Sequence, residues 1–233
     1  MKDQYTRTAM LLGEDSIEKL QHAHVAVFGI GGVGSFVAEA LARAGIGALT
    51  LIDDDVVSES NLNRQLVALR STIGQPKTEV MAARIRDINP DCQVTIRTAR
   101  YTPQDREAFF SVPYDYIADA IDSVACKTDL IVTALERQIP IISAMGTGNK
   151  LDPSKFVITD LAKTSGCPLA RVMRRELKQR GILHHTVLYS TEQARKPLFQ
   201  PDEGKPVPGS VAWVPSCAGL MMAGHIIRQI TAQ

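Results

Sequence analysis

Short apolar runs alternate with stretches of helical periodicity through residues 1–148. Apolar runs bounded by turn residues predict buried strands, and apolar positions at helical spacing predict amphipathic helices between them. The predicted strands are 25–28, 49–52, 93–97, 116–121 and 140–143, and the predicted helices are 15–20, 33–44, 76–88 and 124–138. This alternation predicts an α/β fold with a Rossmann-like, doubly wound and largely parallel sheet.

The pattern becomes mixed after residue 148, with strands predicted at 155–159 and 186–190 around a helix at 169–179. We expect these strands to extend the sheet in antiparallel fashion. Residues 192–209 have no periodicity and gather prolines, which predicts a mobile loop. The apolar stretch 211–227 contains Pro215, Ser216 and His225, so a buried strand and helix are favoured over a membrane anchor.

Length and composition indicate one globular domain over residues 1–233, in which a regular half (1–148) precedes a mixed half (149–233). Net charge is +1, so no overall basic character requires a nucleic-acid partner. The four cysteines form no Cys-x-x-Cys pair, which argues against a zinc knuckle or redox pair. With no signal-peptide pattern at the N-terminus, the expected setting is the cytoplasm.

A glycine-rich turn follows the first predicted strand, in the order Gly-x-Gly-x-x-Gly with one more glycine inside it: Gly29, Gly31, Gly32 and Gly34. The first glycine permits a tight turn, the second lets backbone approach a phosphate, and the last lets the next helix pack closely. The helix N-terminus then faces the anion. Taken alone, this motif predicts a nucleotide site with NAD or FAD as the usual ligand.

Polar residues after the second strand change the expected ligand. Asp53 lies 19 residues beyond Gly34, where a carboxylate can accept hydrogen bonds from ribose hydroxyls. A cluster of carboxamides and a guanidinium follows, which suits a triphosphate better than hydride transfer; it consists of Asn61, Asn63, Arg64 and Gln65. Lys77 at a helix start adds a point charge, and Asp122 could hold Mg²⁺. The alternatives are surface charge for Arg64 and Lys77 and a helix N-cap for Asp122.

These motifs together resemble the ubiquitin-activating-enzyme-like (ThiF/MoeB/HesA) adenylating superfamily over most of residues 5–148. The resemblance rests on the glycine turn, Asp53-x-Asp55, Ser60-Asn61-Leu62-Asn63-Arg64-Gln65, Lys77 and Ala120-Ile121-Asp122-Ser123. Further segments resemble the branch of tRNA threonylcarbamoyladenosine dehydratases and extend the likeness over almost the whole chain; they include Ile88-Asn89-Pro90 and Thr159-Asp160-Leu161-Ala162-Lys163-Thr164.

The resemblance implies roles for the matched residues. Asp53 would hold the ATP ribose, Asn61 and Arg64 the phosphates, and Lys77 the phosphate tail. Asp55 would lie near the phosphates, and Asp122 would bind Mg²⁺. In this superfamily an arginine matched by Arg7 reaches the ATP site of the neighbouring subunit, which implies a homodimer. The resemblance thus implies a nucleotide-binding half (1–148) and a substrate and dimer half (149–233). The match there is partial, because Gln4 replaces the usual arginine at the start of that motif.

The implied reaction is ATP-dependent adenylation of the carboxylate of threonylcarbamoyladenosine in tRNA. Cyclisation then releases AMP, and a sulfur-relay protein is a further possible partner. One alternative is activation of a ubiquitin-like sulfur-carrier protein, although such activators commonly carry the two Cys-x-x-Cys pairs that this chain lacks. A nucleotide-binding protein without catalysis is another alternative. NAD-dependent dehydrogenation has support only from the glycines and Asp53.

Three further features have alternative interpretations. A basic stripe on the predicted helix 169–179 would track an RNA backbone or form a solvated helix face; it comprises Arg171, Arg174, Arg175 and Lys178. Cys167 and Cys217 are interpreted as packing residues rather than thioester nucleophiles. His184 and His185 are expected to end a surface turn.

Overall fold

A seven-stranded sheet forms the centre of the protein, whose computed structural model describes residues 4–201 and 207–232. The strand order is β3-β2-β1-β4-β5-β7-β6, and all neighbouring pairs are parallel except β7 with β6. Strands from both halves of the chain therefore share one sheet. The strands are β1 (His24–Phe28), β2 (Ala48–Ile52), β3 (Gln93–Arg97), β4 (Tyr116–Asp119), β5 (Ile141–Ala144), β6 (Phe156–Asp160) and β7 (Thr186–Ser190).

Helices cover both faces of this sheet. They are α1 (Thr6–Leu12), α2 (Glu14–His22), α3 (Gly34–Ala44), α4 (Lys77–Ile88), α5 (Arg106–Phe109), α6 (Val124–Glu136), α7 (Pro168–Lys178) and α8 (Trp213–Thr231). One apolar core lies under α2, α3, α4 and α8, and the other lies under α5, α6 and α7. In β1, Val25 and Val27 enter the first core while Ala26 and Phe28 enter the second, as the alternation of side chains along a strand requires.

The sheet order determines where a ligand can bind. The chain winds from β1 to β2 and β3 on one side and then returns to β4 and β5 on the other. Loops that leave the carboxyl ends of β1 and β4 therefore separate and leave a crevice between them. This crevice is where the glycine turn after β1 lies.

The predicted elements are found with small shifts of their ends. The fourth strand ends at Asp119, so Ile121 belongs to the following loop. The expected buried strand before the last helix is wrong, because the helix α8 begins already at Trp213. The helix α1 was not predicted; it buries no residue and therefore carries little apolar periodicity.

The segment 192–209 was expected to be a mobile loop. Residues 202–206 lie outside the described residues, and the described remainder of the segment contains neither helix nor strand. In the part of the chain that the structure describes, no helix is both long and apolar enough to cross a lipid bilayer.

Candidate nucleotide site

An open cleft of about 540 Å³ lies at the carboxyl ends of the central strands. Its lining residues come from the glycine turn, from the loops after β2, β3, β4 and β5, and from the start of α8. They include Gly29, Gly31, Gly32, Asp53, Asp55, Asn61, Arg64, Gln65, Lys77, Tyr101, Asp122, Thr147, Ser210 and Pro215. The cleft therefore brings together most of the residues that the sequence singled out.

At Gly29 and Gly34 of the glycine turn a side chain would clash with backbone, whereas at Gly31 it would not. Gly29 has a φ of +88°, and a Cβ there would lie 2.8 Å from the carbonyl oxygen of Ala120. A Cβ on Gly34 would lie 1.7 Å from the carbonyl oxygen of Gly29, so this glycine permits helix packing and does not line the cleft. A Cβ on Gly31 would meet only the Gln65 amide, at 3.8 Å. Backbone can therefore approach a ligand most freely at Gly31.

The Asp53 carboxylate is attached to the glycine turn. It accepts hydrogen bonds from the backbone N–H of Ile30 at 2.5 Å and of Asp55 at 2.8 Å. Burial raises the pKa of Asp53 above its ordinary value, and these two hydrogen bonds oppose that rise. The carboxylate is thus held in one orientation at the end of β2, where a ribose can reach it.

Lys77 is buried at the start of α4 and forms an ion pair with Asp55, with 2.6 Å between Nζ and Oδ2. The Lys77 side chain is 5% exposed, whereas that of Asp55 is 65% exposed. The predicted point charge therefore exists but is oriented by Asp55. An ammonium has three donors, so pairing with Asp55 leaves it able to donate to a phosphate oxygen.

Arg64 projects into the cleft from the turn after a short helical segment. Its Nη1 donates to the Ser60 carbonyl and to Asn63 Oδ1, both at 2.9 Å. Asn63 Nδ2 in turn donates to the Ser210 carbonyl at 3.0 Å. Asn63 is not among the cleft-lining residues and contacts the cleft through Arg64. The two hydrogen bonds orient one side of the guanidinium.

Two amide side chains, Asn61 and Gln65, line the cleft beside Arg64. Asn61 is buried, and its Oδ1 accepts a hydrogen bond from the Ser58 N–H at 3.1 Å. Gln65 Oε1 is buried and has no hydrogen-bond partner among the described residues. A buried acceptor without a partner is costly in a folded protein, so the Gln65 oxygen is suited to a ligand or water that donates a hydrogen bond to it.

Asp122 lies exposed in the loop between β4 and α6 and lines the cleft. The N-cap position of α6 is occupied by Ser123, so the alternative that Asp122 caps this helix is wrong. Asp53, Asp54 and Asp55 line the same cleft, and their carboxylate oxygens lie within 4.8 Å of one another. Carboxylate oxygens that line a polar cleft are chemically suited to Mg²⁺.

Several lining residues were missed by sequence reasoning. Ala99, Arg100 and Tyr101 follow β3, and Thr147 follows β5. Their position after parallel strands was the available signal, since the carboxyl ends of such strands meet at one edge. Ser210 and Pro215 carried no such signal.

Arg7 is exposed on α1 and does not line the cleft of its own chain. The basic stripe on α7 is partly engaged within the chain, because Arg174 Nη1 donates to the Thr164 carbonyl at 2.8 Å. Arg175 forms an ion pair with Glu176 at 3.0 Å. Arg171 and Lys178 are exposed.

The expected surface turn at the two histidines is only half right. His184 is exposed and pairs with Asp160, but His185 is buried and its Nε2 lies 2.8 Å from Ser143 Oγ. Cys167 is also buried, and Cys217 is half-buried; both are free thiols. Their surroundings agree with packing roles.

This cleft and sheet define a class of protein. The chain matches the ThiF family over residues 5–233 and belongs to that family.

Within this family, the chain is similar to individual proteins of known name. The tRNA threonylcarbamoyladenosine dehydratase of Bacillus subtilis (strain 168) is 43% identical over 242 residues, covering 99% of this chain and 95% of the relative. Crystal structures of E. coli TcdA, a tRNA N6-threonylcarbamoyladenosine dehydratase, in complex with ATP and with AMP give TM-scores of 0.90 and 0.91. Both are 41% identical to this chain and cover 98% of it and 94% of their own chains. The molybdopterin-synthase adenylyltransferase of E. coli (strain K12) is 35% identical over 60% of this chain and 56% of its own length.

Proposed function

We propose that this protein is an ATP-dependent tRNA threonylcarbamoyladenosine dehydratase. The observation that carries the proposal is the single cleft in which the glycine turn, Asp53, Arg64, Lys77 and Asp122 face one volume. Similarity over nearly the full length to relatives with that activity supports this substrate over a sulfur-carrier protein.

The chain's own residues bind and orient ATP in this proposal. Asp53 accepts hydrogen bonds from the ribose hydroxyls, while the backbone at Gly31 and Gly32 lies against the phosphates. Arg64 is oriented by Asn63 and offers its remaining N–H groups to phosphate oxygens. Lys77, held by its ion pair with Asp55, donates to other phosphate oxygens. Asn61 and Gln65 supply the amide groups between them.

The Asp122 carboxylate fits a divalent cation, and Asp53 and Asp55 line the same cleft. Mg²⁺ bound there would neutralise charge on the phosphates. The same residues would align the α-phosphate with the incoming carboxylate, and alignment of reacting groups contributes strongly to rate.

The proposed chemistry activates a carboxylate that cannot lose oxide by itself. An oxygen of the threonyl carboxylate attacks the ATP α-phosphorus, and the bond to pyrophosphate breaks. An oxygen or nitrogen of the same threonylcarbamoyl group then attacks the acyl carbon, loses its proton and expels AMP. The elements of water leave the nucleoside in this way, and no protein nucleophile is needed.

The proposal includes partners and setting. The tRNA is the substrate, the setting is the cytoplasm, and a sulfur-relay protein is a further partner. A homodimer would let Arg7 of one subunit reach the ATP site of the other. Within each chain, residues 1–148 bind the nucleotide and residues 149–233 form the substrate and dimer side, from which Ser210 and Pro215 also reach the cleft.

Incubation with ATP, Mg²⁺ and tRNA bearing threonylcarbamoyladenosine, followed by nucleoside mass analysis, tests the proposal. We expect the modified nucleoside to lose the mass of one water, with AMP formed in equal amount. Arg64→Ala should slow this loss of water by about 10²–10³-fold. Arg70→Ala is the matched control because Arg70 is an exposed arginine outside the cleft lining. No mass change, together with pyrophosphate exchange that requires a sulfur-carrier protein, would favour the adenylyltransferase. Stabilisation by ATP without turnover of either substrate would favour a non-catalytic protein.

A further inference from the structure

A fully buried ion pair lies beneath the floor of the cleft. Lys127 on α6 and Asp119 at the end of β4 have side chains with 0% exposure, and 2.7 Å separates Lys127 Nζ from Asp119 Oδ2. Neither residue lines the cleft, so nothing in the proposed binding of ATP uses them.

The pair connects the start of the loop that carries Asp122 to the helix α6. Asp119 Oδ1 accepts a hydrogen bond from the Ile121 N–H at 3.1 Å, while Oδ2 accepts from Lys127. The backbone N–H of Lys127 donates to the Ser123 carbonyl at 2.9 Å, in the first turn of α6. The bond to Ser123 is an ordinary helical backbone bond, so the side chains of the pair tie the loop to α6 at its Asp119–Ile121 end.

This loop also packs against the glycine turn. The Ala120 N–H donates to the Phe28 carbonyl at 2.8 Å, and a Cβ on Gly29 would lie 2.8 Å from the Ala120 carbonyl oxygen. Ala120, Ile121, Asp122 and Ser123 all line the cleft. A shift of the loop would therefore move Asp122 relative to the phosphate-binding backbone.

Stability alone is a weak reason for such a pair. Removing two charges from water costs free energy that their attraction only partly returns, and packed apolar residues of similar volume are often as stable. What the pair supplies here is a defined geometry, because each oxygen of one carboxylate has its own donor.

Resting on the function proposed above, we propose that Lys127 is a positioning residue for the adenylation step. Through Asp119 it holds the Ala120–Ser123 loop so that Asp122 faces the phosphates at the glycine turn. Lys127 touches neither ATP nor the tRNA.

The test compares variants that remain folded. Lys127→Met alone leaves Asp119 buried without its cation, so the informative variant is the double substitution Asp119→Asn/Lys127→Met, which removes both charges. The matched control is Glu39→Gln/Arg84→Met, because that ion pair joins α3 to α4 outside the cleft lining. Folding of each is checked by circular dichroism at the assay temperature.

We expect kcat for AMP formation to be about tenfold to a hundredfold lower in the double variant. This is the usual loss when a partner that orients a metal-binding side chain is removed. The KM for ATP should change by less than about threefold, because the glycine turn, Asp53, Arg64 and Lys77 still bind it. The control pair should lower thermal stability and leave kcat unchanged. If the double variant does not fold, Lys127→Arg replaces it, since a larger cation displaces the loop and should lower kcat in the same way.

A folded variant with wild-type kcat would overturn the positioning role, as would an equal loss in the control pair. Failure of the wild-type protein to dehydrate the tRNA would instead overturn the proposed function. The two failures are therefore distinguishable.

Discussion

Burial of His185 makes the stability of this protein depend on pH in a defined direction. The imidazole is 5% exposed and its Nε2 lies 2.8 Å from Ser143 Oγ. Burial and, secondarily, the positive charge of Lys127 lower the pKa of His185 from 6.5 to about 3. The folded state thus binds fewer protons than the unfolded state between these values. The stability associated with the neutral, buried His185 is fully present above pH 6.5 and is lost as the pH falls toward about 3.

The magnitude follows from proton linkage. At about pH 5 the unfolded imidazole is mostly protonated and the folded one is not, which costs about 2 kcal/mol of unfolding free energy relative to about pH 7.5. His185→Gln removes the titrating ring and leaves an amide near the position of Nε2 to bond Ser143. The wild type should therefore lose about 2 kcal/mol more than this variant over that interval.

Urea unfolding at the two pH values, at one protein concentration, measures this difference. All other ionisable groups are the same in both proteins, so their contributions cancel when the two pH-dependent losses are subtracted. Equal losses in wild type and variant, within about 0.5 kcal/mol, would refute a buried neutral His185.

Three further predictions concern the cleft. Gly34→Ala should lower stability by about 1–3 kcal/mol or more in thermal unfolding, because a Cβ would lie 1.7 Å from the Gly29 carbonyl oxygen; an unchanged melting temperature would contradict that geometry. Arg64→Ala should lower kcat by about 10²–10³-fold in an AMP-release assay, the usual loss for one donor to developing charge, and a loss under about threefold would remove Arg64 from the reaction. Lys77→Met should weaken ATP binding by about tenfold or more in calorimetry, since a charged hydrogen bond is lost, whereas wild-type affinity would mean that Lys77 serves Asp55 alone.

Part of the candidate site was predictable because its signals are local. The glycine spacing, the position of Asp53 after β2, and the cluster from Asn61 to Gln65 all lie within one strand-helix-strand unit and its following loop. Lys77 was predicted at the start of α4, but its pairing with Asp55 was not. That pairing depends on how the helix α4 packs beside the acidic turn, 22 residues earlier in the chain.

Other contacts of the site could not be predicted from the sequence. Pro215 reaches the cleft because α8 packs against α3, and a Cβ on Gly32 would lie 3.2 Å from Pro215. Ser210 lines the cleft from the segment before α8. Asn63 has the residue type of a ligand, yet the fold turns its amide to Ser210 and Arg64. A residue type alone does not specify which neighbour it contacts.

The sequence by itself determined the order of strands and helices, the glycine turn and the class of ligand, because apolar periodicity and the steric demands of glycine act within a few residues. Tertiary structure alone decided which polar groups are buried and paired. His185 and Lys127 look like ordinary surface residues in the sequence, and both are buried beside the central strands. Their state depends on segments that are distant in the chain, since burial and charge pairing arise only when those segments pack together.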